Sequence, residues 1–458
     1  MAEPAERIDL RDAGNERLHG RHPADLPVML LLALGFFLGP LKLLGTSWFG
    51  YLAADGLALV VLLVVFAERV ASRKPVFATS PLSVPLLLLV AFCVLELANP
   101  EAPFIRSVMG LRSWVLYLGF YFAGFYTLRS VQQLERLYAL LLALGLLTAV
   151  YGLYQWQAGP QAFASWSEYY GQYARLAWSA RSGPVFRAFS TFVAAGTFGG
   201  NMALLMLLAF SVAASPRMRA RWRVVAAAIL AVMGAGIAAS GSRGPVAHLL
   251  LAAVMAVGFT TGMWSKFGVA FKGGVMAAFA VLLIAFLIGP VVSERFSTIF
   301  DPQAFFWKWF GPLTYGIQIA REHLFGMGLG YTAGVPRFIS DPAIRELPTT
   351  NIDSGYGSAG AELGFIGLAL FAYFAVNVGV GGFQTWKRLP VGRLRDLLLG
   401  PALLAVTYPI VSVIAQPQAT LPSSIYFWLL IGMLMKAPTL QRALDADQLL
   451  RTSVHPGQ

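Results

Sequence analysis

The chain has 458 residues, of which 57% are apolar and only 12% charged. The charged share is about half the ~25% of a soluble domain, and the mean hydropathy is +0.66. A water-soluble enzyme, a disordered tail and a small disulfide scaffold are thereby excluded, and a polytopic membrane protein is expected. The formal net charge of +12 is read as basic loops that orient membrane spans. Nucleic acid is not an expected partner, because no basic stripe with interleaved aromatics occurs. The single cysteine, Cys93, allows neither an intramolecular disulfide nor a cysteine metal site. The five histidines (His19, His22, His248, His323 and His455) lack ligand spacing, so no metal and no other cofactor is expected.

Residues 1–26 carry mixed charge, and no short apolar core with a small-residue cleavage site follows them. A cytoplasmic N-terminal segment is expected there rather than a cleaved signal peptide. Apolar runs then predict twelve transmembrane helices. They lie near 27–45, 49–67, 81–98, 109–128, 135–157, 191–214, 223–239, 245–261, 274–290, 361–383, 396–415 and 421–437. The first nine occupy 27–290, a large extracytoplasmic loop occupies 291–360, three more helices fill 361–437, and 438–458 form a tail.

The connections fall into two alternating sets. The N-terminus, 68–80, 129–136, 215–223, 262–273, 384–395 and the tail with Lys436 carry 22 of the 34 Lys and Arg residues. That set is assigned to the cytoplasm, which puts both termini inside. The outer set includes ~158–190 and the long stretch between Val291 and Gly360. That stretch is aromatic and Gly-rich, with Phe305-Phe306-Trp307-Lys308-Trp309-Phe310 and Gly326-Met327-Gly328-Leu329-Gly330-Tyr331. Short helices lying at the outer interface are expected there, where Trp and Tyr prefer to sit.

Four outer motifs carry candidate chemistry. In Ser240-Gly241-Ser242-Arg243-Gly244-Pro245, Pro245 suits a helix first turn. Arg243 then stands just before a helix N-terminus, beside Ser242 and small residues, where N–H groups and the dipole favour an anion. The alternative is an interfacial arginine snorkelling to water. Arg187 precedes the sixth span on the same face, with Arg175 and Arg181 nearby. This outer basic excess runs against the topology rule and suggests a phosphate-bearing ligand. Arg321 ends a predicted helix ahead of the Gly-rich turn and offers a third contact. His323, two residues on, reads as a structural residue before a catalytic one. Asp353 lies at the outer boundary before the tenth span, where it is either an acceptor base or a surface acid. Glu362 braces the site or caps the helix start. Asp55 or Glu96 paired with Arg112 is a structural ion pair within the spans.

Taken together, Ser240–Pro245, Arg187 with Ser190-Thr191-Phe192, Arg321–Gly330 and Asp353–Gly367 resemble the O-antigen ligase and O-antigen polymerase superfamily of bacterial membrane glycosyltransferases. The resemblance covers roughly 185–370 and agrees with the twelve-span layout. It implies a metal-independent, inverting transfer at the outer face of the bacterial inner membrane. The donor would be a glycan on undecaprenyl diphosphate, with membrane lipid and other polysaccharide assembly proteins as further partners. Arg187 and Arg243, with Arg321, would hold the diphosphate, and Asp353 would serve the acceptor hydroxyl. Asp353 occupies the place where the ligase branch begins its motif with histidine. This departure favours a polymerase of O-antigen, capsule or exopolysaccharide over a ligase that transfers to lipid A core. Asn201 also lies later than the family pattern has its asparagine. The competing class is a lipid-linked sugar flippase or transporter, but residues 1–220 and 221–458 show no repeat of the kind such carriers often have. A non-catalytic scaffold for polysaccharide assembly is a third reading.

Overall fold

The computed structural model describes residues 24–43, 47–75, 80–161, 179–180, 183–184, 186–192, 194–260, 301–332, 352–416 and 421–454. Over these residues the chain is an all-α membrane protein. Six helices are long and apolar enough to cross a bilayer, and four more apolar helices are shorter. The ninth expected span, 274–290, lies outside the described residues, as do Arg175, Arg181, His19, His22 and His455.

The chain opens with α1 (Asp25–Phe36) and α2 (Leu38–Leu43), then α3 (Ser47–Ala71) and α4 (Ser83–Leu95). The fourth span differs from the single helix expected over 109–128. It begins earlier, at α5 (Phe104–Leu111), passes through a π-helical turn at Arg112–Leu116, and resumes as α6 (Phe120–Thr127). Single π-helical turns inside a helix are rare, and they are frequent at functional sites. Here Arg112 donates through Nε to Asp55 Oδ2 at 2.5 Å and through Nη2 to Oδ1 at 3.0 Å. Tyr117 donates to the same carboxylate at 2.6 Å. The expected pair is therefore Asp55–Arg112, while Glu96 accepts from Asn99 instead, at 2.7 Å.

Next come α7 (Val131–Ala158), α8 (Ala195–Ala214), α9 (Ala220–Ser240) and α10 (Arg243–Thr260). The Ser130 hydroxyl caps α7 by accepting the Gln133 amide at 3.2 Å, the ordinary way to satisfy a free helix-start donor. The sixth span was expected from 191, but its helix begins at Ala195, because Phe186–Phe192 are not helical. A two-residue antiparallel ladder, Ser179–Ala180 with Gly183–Pro184, stands on the connection before it.

The remaining elements are α11 (Pro302–Glu322), α12 (Gly355–Arg388), α13 (Arg393–Leu397), α14 (Leu399–Val411) and α15 (Ser423–Val454). Within the long loop, α11 is a 21-residue helix packed on α12 rather than a short interfacial piece. The tenth span begins at Gly355 rather than 361, with Ser354 as its cap, and the last helix continues past 437 to Val454.

Contacts between α6 and α15 show how the bundle closes. A β-carbon on Gly124 would lie 1.9 Å from the Leu429 carbonyl, and one on Gly432 would lie 2.0 Å from that of Tyr121. Small residues let the two backbones touch, which is the main source of helix attraction where lipid removes the hydrophobic drive.

Polar ties gather at the two ends of the bundle. At one end, Arg129 bonds Glu68 at 2.8 Å, Arg393 bonds Glu135 at 2.6 Å, and Arg217 bonds Asp396 at 3.0 Å. Gln133 also donates to Asp25 there, at 2.8 Å. These ties join segments from the Lys/Arg-rich set of connections to one another. The other end holds the candidate site.

Candidate functional site

The non-helical segment Phe186–Phe192 crosses the end of α9 and the start of α8. Arg187 is half-buried, and two hydrogen bonds orient its guanidinium. Nε donates to the Ser240 carbonyl at 2.9 Å, and Nη2 donates to the Ser242 hydroxyl at 2.9 Å. Ser242 in turn donates to the Ala195 carbonyl at 3.1 Å, so the hydroxyl links Arg187 to the start of α8. The Ala188 amide donates to Ala239 at 3.1 Å, which ties the same segment to the last turn of α9. The chain can reverse between α9 and α10 because Gly241 takes a left-handed φ of 56°. Arg187 and the 240–245 motif, 55 residues apart, thus form one corner.

Arg243 belongs to that corner by chain continuity. It is the first residue of α10, not the residue ahead of the helix, and it is half-buried. The corner therefore brings together the Arg187 guanidinium, a buried serine hydroxyl and a helix N-terminus whose first residue is Arg243. Such an arrangement suits an anion with several oxygens. Deeper in α10, the His248 ring Nε2 pairs with the Thr407 hydroxyl of α14 at 2.9 Å.

Asp353 is exposed and sits directly before Ser354, the cap of α12. Ser354 accepts the Gly357 amide at 3.0 Å. The Gly355 amide donates to Ser412 at 2.7 Å, just beyond the end of α14. Gln416 donates to the Ile352 carbonyl and to the Ser358 hydroxyl, gripping the chain on both sides of Asp353. The His248–Thr407 bond sets the start of α10 beside the last turns of α14, and the Gly355–Ser412 bond holds the Asp353 segment just beyond them. Asp353 and the arginine corner thus lie toward the same end of the bundle.

Glu362 does not cap a helix start. It lies two turns inside α12, only 1% exposed, and accepts from the Trp114 indole at 2.7 Å. Its other oxygen accepts from the Thr332 amide at 2.7 Å and hydroxyl at 2.6 Å. It clasps the Gly-rich turn that follows α11. Asn99 donates to the Phe325 carbonyl at 3.0 Å and buried Arg106 to that of Met327 at 2.7 Å, completing the hold. The turn meets α12 at a kink, where Gly364 takes a φ of 67°. A β-carbon on Gly364 would lie 2.4 Å from the Gly326 amide. Burial, and then the neighbouring Tyr315, push the Tyr331 phenol up to about 12, so it stays protonated at neutral pH.

Arg321 is exposed in the last turn of α11, and His323 is half-buried just beyond it. The His323 amide donates to Ile319 at 2.8 Å and its carbonyl accepts from Gly326 at 3.0 Å, backbone contacts that close the helix. Arg337 and Arg345 lie outside the described residues. Gln155, Arg106, Trp114 and Thr332 were not anticipated as partners of the site segments. Each stands alone in or beside an apolar run, and nothing in its spacing names its partner.

The chain matches no protein-family model and no curated protein.

Proposed function

We propose that the chain is a metal-independent inverting glycosyltransferase of the bacterial inner membrane. It polymerises undecaprenyl-diphosphate-linked oligosaccharide units at the extracytoplasmic face. The observation that carries this reading is the corner in which Arg187 is clamped to Ser240 and Ser242 beside Arg243 at the start of α10. Two cations and a helix N-terminus at one end of a membrane bundle suit a lipid-borne diphosphate. The basic loops, tied together at the opposite end, favour a cytoplasmic location for that end and for both termini.

In the reaction, the acceptor hydroxyl oxygen attacks the anomeric carbon of the donor sugar. The bond from that carbon to the diphosphate oxygen breaks, and the electron pair leaves on the diphosphate. Arg187 and Arg243 stabilise the charge that develops there. The acceptor's proton passes to Asp353, which is exposed and so reachable by a large glycan. Arg321, also exposed at the end of α11, adds a cation for the glycan-diphosphate when the donor docks.

Purified protein supplied with a defined undecaprenyl-diphosphate oligosaccharide tests the proposal. Longer lipid-linked chains are the expected product. Transfer to lipid A core instead would make the chain a ligase, and the absence of any new glycosidic bond would overturn the enzyme reading in favour of a carrier.

A further inference from the structure

One side chain of α7 holds the segment that carries Arg187. Gln155 is fully buried, and its Oε1 accepts the amides of Phe189 at 2.9 Å and Ser190 at 2.7 Å. Both partners are N–H donors, so the oxygen must face them. The cost is visible on the other side of the amide, where Nε2 is buried with no hydrogen-bond partner among the described residues. An orphaned buried donor is uncommon and calls for a reason.

The backbone beside it is strained as well. Ser190 takes a φ of 55°, a left-handed value that non-glycine residues seldom adopt. Its hydroxyl donates back to the Thr148 carbonyl of α7 at 2.6 Å. Thr191 then donates to the Phe36 carbonyl at 2.5 Å, and its own carbonyl accepts the Gly39 amide at 2.8 Å. Strain of this kind persists only where surrounding contacts over-determine it, and it clusters at functional sites. The bend at Ser190 sends residues 186–188 toward the serine turn of α9 and residue 191 toward α1. Gln155 is the group that accepts both amides at the bend.

We propose that Gln155 is a positioning residue: by clamping the bend at Phe189 and Ser190 it seats Arg187 on the Ser240–Ser242 turn, and so sets affinity for a lipid-linked diphosphate. This rests on the reading of Arg187 as a diphosphate contact. Gln155 itself touches no substrate.

The test is a double-mutant cycle on binding of undecaprenyl diphosphate to the full chain purified in detergent, with melting temperature recorded on the same samples. Gln155→Met keeps length and bulk but removes the amide acceptor. It is expected to weaken binding roughly tenfold, and Arg187→Ala is expected to cost at least ~5-fold less in that background than in wild type, because coupled residues are non-additive. Ser190→Gly added to Gln155→Met frees the left-handed conformation from its steric cost and is expected to recover affinity. If Gln155→Met does not accumulate, Ser190→Thr serves: it keeps the hydroxyl, resists the left-handed φ, and must show the same coupling. Additive effects, or wild-type binding by these variants, would overturn the positioning role. Wild-type binding by Arg187→Ala alone would instead overturn the diphosphate reading, and the two failures are distinct.

Discussion

The carboxylate of Glu362 accepts the indole N–H of Trp114 at 2.7 Å, across 248 residues of chain. That bond joins α12 to the fourth span, while the other carboxylate oxygen holds the Thr332 amide and hydroxyl. At 1% exposure, with three donors already converging on it, this carboxylate is out of reach of an acceptor sugar. Its role is to fasten the Gly-rich turn to the bundle.

Glu362→Gln is therefore expected to turn an N–H group toward a donor, leaving a buried pair unsatisfied at a cost of about 2 kcal/mol. The melting temperature should fall, and any loss of transfer should follow the loss of folded protein. Transfer abolished at an unchanged melting temperature would return Glu362 to the chemistry.

The two arginines of the corner make the opposite expectation. Arg187→Ala and Arg243→Ala should each leave the protein in the membrane while reducing polymer synthesis ~10²–10³-fold, the usual loss for one donor to a developing anion. Arg243→Lys should also be impaired, because an ammonium cannot reproduce a planar two-pronged contact. Normal chain synthesis by Arg243→Ala at normal expression would remove it from the site.

Asp353 is exposed just before the start of α12, and the melting temperature of its variants is recorded alongside activity. Asp353→Asn keeps the shape but cannot take up the acceptor's proton. Single-turnover transfer is expected to fall ~10²–10⁴-fold, with donor affinity nearly unchanged. Transfer within a few fold of wild type would show that Asp353 is not the base, leaving His323 as the next candidate.

The sidedness can be read by thiol labelling, because the single native cysteine, Cys93, is buried. Ala343→Cys is expected to label from outside intact cells, and Arg221→Cys only after permeabilisation. The reverse pattern would put the arginine corner on the wrong side for an extracytoplasmic donor.

The all-α membrane class was legible because membrane spans are a one-dimensional problem. A helix must satisfy its own backbone in lipid, so apolar length marks a span without knowledge of neighbours. Against the twelve expected, six helices among the described residues are long and apolar enough to cross a bilayer. Boundaries that depend on a partner were displaced instead. The tenth span starts at Gly355 because the Ser354 hydroxyl and the Ser412 carbonyl engage its first amides. The fourth span is broken where Arg112 leans to Asp55.

The residue types around the site were equally readable, but their partners were not. From residue types and helix-end signals alone, Arg187, Ser242, Arg243 and Asp353 could be singled out, because guanidinium groups, small residues and a carboxylate at span ends are conspicuous in so apolar a chain. Tertiary structure alone decided that Arg187 lies on Ser242, that Glu362 clasps Thr332 and Trp114, and that Gln155 holds the bend at Ser190. A hydrogen bond needs its two groups within about 3 Å. For residues tens to hundreds of positions apart, that proximity comes from how the helices pack, which no local pattern encodes.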